Sequence, residues 1–295
     1  MRAKLTSVLA VLGLFSTLTA AAVPSAVVEV VQAPAWLERG ERRLPLAPGM
    51  VLENRDRLLT GQGARAIVKL ADGSAVKFGE GANVAVNALK AQNSRDDNQL
   101  FTAALDLAKG AFRLTTGVFR QYTTQRAINV RTGVVTIGIR GTDLWGRSNE
   151  AQDLVCLIEG RISLHHPEGG AAELNEPLQF YTADKGQLPN PVGQVDPVQL
   201  AQWAQETELQ PGGASLQAGG RWSLRFERMD KDGVLGLYDR LSDAGYPVRI
   251  RPVMVDGVYW YELHLSKLVS QFAAQSLADR LVRDLHVPTP AVRRQ

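Results

Sequence analysis

Between Thr60 and Phe78 the chain reads TGQGARAIVKLADGSAVKF, and this alternation limits the possible folds more than any other stretch. Ala64, Ala66, Val68 and Leu70 fall on one side of an extended chain, with Arg65, Ile67 and Lys69 on the other. A period of two is what a half-buried strand requires. Asp72-Gly73 breaks the pattern and Ala75-Val76-Lys77-Phe78 resumes it, as a tight β-hairpin would. Further runs at Ala111 to Thr115, Ile128 to Thr132, Val134 to Ile139, Leu154 to Glu159 and Arg161 to His165 are separated by glycine-containing turns such as Glu159-Gly160. Many short strands at close spacing predict an all-β sandwich or barrel over residues 35–166. The polar NSRDDN segment, Asn93 to Asn98, reads as a loop inserted in it.

After Pro167 the composition turns to Gly, Pro, Glu and Gln, so residues 167–220 read as a linker. A short helix is expected inside it over 197–209. Asp196 is the N-cap, Pro197 stands at the first helical position, Gln199 completes a capping box, and Leu200, Trp203 and Ala204 share a face. Beyond Gly220 the period changes again. Trp222, Leu224 and Phe226 alternate; Leu235, Tyr238 and Leu241 have helical spacing; Val248 and Ile250 alternate with Arg249 and Arg251; Asp256-Gly257 turns the chain into Val258 to Leu265. A closing helix spans Ser270 to Leu285 with Phe272, Leu277, Leu281 and Leu285 on its apolar face. The order β-α-β-β-α over 221–288 predicts a second, small α+β domain.

The N-terminus carries Arg2 and Lys4, an apolar run from Leu5 to Leu18 and small residues through Ala20 to Ala22. This is the order of a secretory signal peptide over residues 1–22, cleaved after Ala22 or Ala26, and an uncleaved anchor is the competing reading. Export implies a periplasmic protein with no stable membrane insertion once the signal is gone. Loss of Arg2 and Lys4 takes the formal charge from +3 to about +1, which gives no case for nucleic acid as a partner. Cys156 is the only cysteine. It permits no intramolecular disulfide, and its apolar surroundings from Leu154 to Ile158 suit a buried thiol rather than a nucleophile.

Catalytic patterns are absent. GVVTIG, Gly133 to Gly138, has the glycine spacing of a P-loop, yet Ile139 and Arg140 stand where Lys and Ser or Thr are required. Its β-branched interior favours a strand, with Gly138 and Gly141 as close approaches or bulges. His165 and His166 point to opposite faces of a strand and cannot chelate one metal alone. Asp72, Asp143, Asp153 and Glu159 sit beside turns or strand ends, where carboxylates are common for conformational reasons. No Gly-x-Ser-x-Gly elbow or Ser-His-Asp pattern is present. The expectation is a protein that is not an enzyme and needs no metal or cofactor.

Four segments together, LPLAPGMVLENRDRLLTGQGARAIVKLADGSAVKF, LAKGAFRL, INVRTGVVTIGIRGTDLWG and LVCLIEGRISLHH, resemble the FecR domain in its stand-alone periplasmic form. The resemblance rests on Arg57 to Gly61, Leu70 to Ser74, Arg140-Gly141-Thr142 and Glu159-Gly160. It implies an envelope-located ligand or partner-binding domain. The best-known members relay a signal from an outer-membrane transporter to a sigma factor. With nothing ahead of the export signal, a direct sigma-regulator role is not expected.

Residues 221–288 are similar to a SPOR domain at Trp222, Leu224 and Phe226, at Gly245-Tyr246-Pro247, at the Tyr261 to Leu265 strand and at the helix beginning near Phe272. That resemblance implies binding of peptide-stripped peptidoglycan glycan and enrichment at the division septum. If Leu224, Phe226, Val248, Ile250, Tyr261, Leu263 and Leu265 face the helices, the opposite face presents Ser223, Arg225, Arg249, Arg251, Trp260, Glu262 and His264. These are the candidate glycan-binding residues: an indole to stack on a sugar ring and guanidinium groups for its acceptors. A plainly solvated face, or one covered by the helix around Trp203 or by the other domain, are the alternatives.

Overall fold

The hairpin forms where the alternation breaks. The computed structural model describes residues 24–92, 100–117 and 125–295; the segment expected to be a signal peptide and the NSRDDN stretch expected to be a loop lie outside them. It pairs β5 (Arg65–Leu70) with β6 (Ala75–Phe78), setting Lys69 opposite Ala75. The Asp72 carboxylate accepts from the Ser74 amide at 3.0 Å and from its hydroxyl at 2.6 Å, which fixes the turn between them.

The neighbouring strands are β1 (Ala26–Gln32), β2 (Ala35–Arg39), β3 (Arg42–Pro45), β4 (Arg57–Thr60), β7 (Asn83–Gln92), β8 (Leu100–Thr115), β9 (Gln125–Thr132), β10 (Val135–Ser148), β11 (Gln152–His166), β12 (Gly170–Leu174), β13 (Gln179–Asp184) and β14 (Gly193–Gln194). One layer runs β1-β5-β6-β8-β10-β11-β13-β14. The other runs β3-β2-β4-β7-β8-β9-β10-β11-β12. Neighbours are antiparallel except β8 and β9. The long strands β8, β10 and β11 belong to both layers and pass between them at Gly110, Gly141 and Gly160, all with positive φ. A Cβ on Gly160 would stand 2.3 Å from the Gly141 carbonyl oxygen, so only glycine lets the two strands bend together there. Glu159-Gly160, expected as a turn between two strands, is therefore a bend within one. Strands that change layer at bends are the corners of a folded-over sandwich. Leu37, Leu58, Val68, Phe112, Leu114, Ile137 and Leu157 fill its interior.

The C-terminal elements are β16 (Trp222–Arg225), α2 (Lys231–Asp243), β17 (Val248–Val255), β18 (Val258–Leu268), α3 (Gln271–Leu285) and β19 (Ala291–Arg294). The expected β-α-β-β-α order is present, and β19 adds a strand that the sequence reading missed. The sheet order is β17-β18-β16-β19, antiparallel throughout. Asp230 caps α2 through the Gly233 amide at 2.9 Å, and Ser270 caps α3 through the Ala273 amide at 3.1 Å. Both helices pack on Leu224, Phe226, Val248, Leu263 and Leu265. Their buried stripes are Val234, Leu237 and Leu241 on α2 and Ala273, Ala274, Leu277, Ala278 and Leu281 on α3. Leu235 and Phe272, expected on those stripes, are exposed.

Residues 167–220 are not a free linker. They contain β12, β13, β14, α1 (Pro197–Gln205) and β15 (Ser215–Gln217). Helix α1 stops at Gln205, short of the expected 209. Asp196 caps it through the Val198 amide at 2.8 Å, while the Gln199 side chain bonds Gln202 rather than closing a capping box. Strand β15 pairs with β1 on one side and meets β18 at Leu268 on the other, so the sandwich continues into the C-terminal sheet. Gln32 ties the join: its amide nitrogen donates to the Gln210 carbonyl at 3.1 Å and the Ser215 hydroxyl at 2.9 Å. Nearby, the Trp36 indole donates to the Asp243 carbonyl at 3.0 Å, Lys267 to that of Pro48 at 2.8 Å, and Arg280 to that of Ala33 at 3.0 Å. A single cluster of buried apolar side chains runs from Ala26 to Val287. The sandwich also starts earlier than residue 35, because β1 follows directly on the apolar N-terminal run and no compositional break marks it.

Candidate functional site

The C-terminal sheet has one face under its helices and one face open. Register sets the open face in rows. Arg225 and Arg249 flank His264 on β18, Arg251 lies opposite Glu262, and Val253 lies opposite Trp260. Six of the seven candidate residues are thus brought together. Ser223 is withdrawn: it is 3% exposed and its hydroxyl donates to the Arg293 carbonyl at 3.3 Å.

Glu262 and His264 are on this face but buried. The Glu262 carboxylate accepts from Arg228 Nε at 3.2 Å, lies 3.0 Å from His264 Nε2, and has Arg225 Nη1 at 3.9 Å. Burial works to raise its pKa, but the bonds from His264 and Arg228 and the charge of Arg225 outweigh it and hold the group below its usual range. These two residues staple the sheet from within. The surface left to a partner is Arg225, Arg228, Arg249, Arg251 and Trp260. Arg228 was missed because it sits in the irregular turn between β16 and α2, where no periodicity assigns a face.

Trp260 is 39% exposed and is not plugged into the interior. With Arg228, Val255, Asp256 and Val258 it lines an open cleft of about 500 Å³. The helix around Trp203 does not cover it, since the Trp203 ring stacks on Trp145 instead, 5.4 Å away with the planes at 13°. The ribbon ends at Asp256 and Gly257, both with positive φ as a two-residue hairpin turn needs. Its tip also exposes Met254, Val258 and Tyr259. Four guanidinium groups around one buried carboxylate, beside an open indole, make a surface for hydrogen-bond acceptors and anions next to an apolar ring or side chain.

Gly138 lies in β10 where a Cβ would fall 2.6 Å from Ser163 Oγ, a close approach rather than a phosphate cradle. His166 is buried, its Nδ1 accepting from the Glu168 and Gly169 amides at 3.2 and 2.9 Å, while His165 points outward. Burial pushes the Cys156 thiol up to about 12, so it is inert at neutral pH. Among the described residues no group of three or more His, Cys, Asp or Glu side chains could hold a metal ion, and no helix is long and apolar enough to cross a membrane.

Residues 56–163 match the family model described as FecR protein. No curated protein matches the chain. Two crystal structures of a candidate anti-sigma factor from Parabacteroides distasonis ATCC 8503, at 1.65 and 2.50 Å resolution, overlay loosely. The first is 13% identical, with a TM-score of 0.39, covering 81% of this chain and 99% of that one. The second is 13% identical with a TM-score of 0.40, covering 79% and 92%. The comparisons return nothing for the SPOR-like reading of residues 221–288. Residues 56–163, from the edge of β4 into β11, are thus the part of the chain that is similar to FecR protein.

Proposed function

We propose that the protein is a non-enzymatic signalling module of the cell envelope, which binds a ligand or protein partner and passes the signal to a membrane-spanning regulator. The FecR match over residues 56–163 carries this reading. The join through β15 supports it, because a contact made on the sandwich and one made on the C-terminal sheet act on a single packed body. Export follows the N-terminal signal. Cleavage after Ala22 would leave β1 whole, whereas cleavage after Ala26 would remove a buried residue paired with Leu70, which favours the first position. Affinity purification of the full chain from solubilised envelopes tests the proposal. A regulator with its own membrane helix should be recovered, and transcription of its targets should change on deletion. Recovery of no such protein, with an unchanged transcript profile, would overturn it.

A second reading is favoured by one observation, the uncovered Trp260 beside Arg228 and Arg251: the open face holds peptidoglycan glycan strands and tethers the protein to the wall, at the septum above all. Co-sedimentation of the full chain with purified sacculi decides it, with and without amidase treatment. Pelleting no greater than a control protein's rejects it. Residues 221–295 alone are the wrong sample, because Leu268 pairs with Leu216, and Arg280 and Asp243 are hydrogen-bonded to Ala33 and Trp36. Zymography on peptidoglycan, expected to show no clearing, tests the absence of wall-cutting activity.

A further inference from the structure

A second cleft lies far along the chain from the open sheet face. It has a volume of about 500 Å³ and is lined by Arg65, Glu80, Lys109, Arg147, Ser148 and Glu206, with Gly81 and Gly110 in its wall. Glu206, the residue that ends α1, is part of its wall. Arg65 was expected on the outward side of β5 and is instead buried.

Arg65 is the unusual member. Its side chain is 7% exposed, and a guanidinium keeps its charge at any pH the fold survives. A buried charge needs a partner and filled hydrogen bonds. Yet Nη1 donates only to the neighbouring Ala64 carbonyl at 2.8 Å. The nearest carboxylate, Glu80, is 3.9 Å away, beyond hydrogen-bond reach, and itself accepts from the Gly63 amide at 2.8 Å. Nε is buried with no partner among the described residues. The other charges are already engaged. Arg147 donates to Glu206 at 2.9 Å and lies over the Trp145 ring. Ser148 donates to Asp153 at 2.7 Å. Lys109 faces the almost fully exposed Glu150 at 3.6 Å, a pairing that costs little to break. Three cations therefore line the cleft against two carboxylates.

The geometry points to a binding site for a small soluble anion, a carboxylate or a phosphate, held between the Arg65 guanidinium and the Lys109 ammonium. Such a group would supply the charge-assisted acceptors that Arg65 lacks. This site is independent of the open sheet face and of the signalling reading.

Thermal unfolding of the full chain tests it, with inorganic phosphate and with succinate, each at about 20 mM against sodium chloride of equal ionic strength. One or both anions should raise Tm by roughly 3–6 °C, as expected of a millimolar ligand on a chain of this size. Which anion acts identifies the group recognised. Lys109→Glu, at an exposed position, should leave the ligand-free Tm within about 2 °C and abolish the rise. Isothermal titration should show the same variant binding at least tenfold more weakly. Equal Tm in phosphate, succinate and chloride, or a rise that survives in Lys109→Glu, would overturn the assignment.

Discussion

Replacing Gly245 by alanine probes the join between the sandwich and the C-terminal sheet at its tightest point. Gly245 follows α2 with a φ of +83°, and a Cβ there would lie 2.7 Å from Trp36 Cε2 and 3.0 Å from the Ala35 nitrogen. The left-handed conformation alone costs an L-residue about 1–2 kcal/mol. The contact adds an overpacking cost of about 1–3 kcal/mol. Trp36 cannot simply move aside: its indole is bonded to the Asp243 carbonyl at 3.0 Å and lies under the Arg43 guanidinium at 4.4 Å. The Ala35 amide also donates to the Gly245 carbonyl at 3.3 Å. The expected loss is roughly 2–5 kcal/mol, a fall in urea midpoint of about 1 M or more at a slope near 3 kcal/mol/M. Tryptophan fluorescence and far-UV circular dichroism should report one coincident transition in the wild type, displaced as a whole in Gly245→Ala. Two separate transitions in the wild type, or a displacement under about 0.2 M in the variant, would refute the single packed body.

Trp203→Ala removes the ring that covers Trp145 and also meets Phe180 edge-on at 6.3 Å; from partial burial plus the aromatic pair, chemical denaturation should show a loss of roughly 2–3 kcal/mol. Cys156, with its thiol pushed up to about 12 by burial, should resist thiol reagents in the native protein at pH 8 and react fully in denaturant. Glu262→Gln should cost about 1–2 kcal/mol at pH 7. Because the folded-state pKa of Glu262 is depressed below 4.5, its contribution is complete above the unfolded value and fades as pH falls through the folded one. Stability curves of wild type and variant should therefore converge as the pH falls below the folded-state value.

What could be read in advance was local. The Asp72-Gly73 and Asp256-Gly257 turns, the Asp196 cap and the alternation of Leu224 and Phe226 each declare themselves within a few residues. What escaped depends on partners distant in sequence. Gly160 looks like a turn until Gly141 is placed against it, and the Gly and Pro residues after 206 look like slack until Gln32 is seen bonded to Gln210 and Ser215. Ser215 to Gln217 is too short to announce a strand, yet it joins the two sheets. At the candidate face, alternation correctly assigned the side of the sheet for Arg225, Arg249, Arg251, Trp260, Glu262 and His264. It could not show that Arg228, from an irregular turn, reaches across to engage Glu262 and leaves that carboxylate and His264 buried while the arginines and the indole remain outside.

A photo-crosslinking phenylalanine analogue at position 260 of the full chain, irradiated in intact cells, tests the central proposal most directly. The signalling reading predicts a discrete adduct with a membrane-spanning polypeptide, lost when Arg249 and Arg251 are both changed to Glu. Adducts with glycan alone, no adduct, or a protein adduct indifferent to that charge reversal would contradict it.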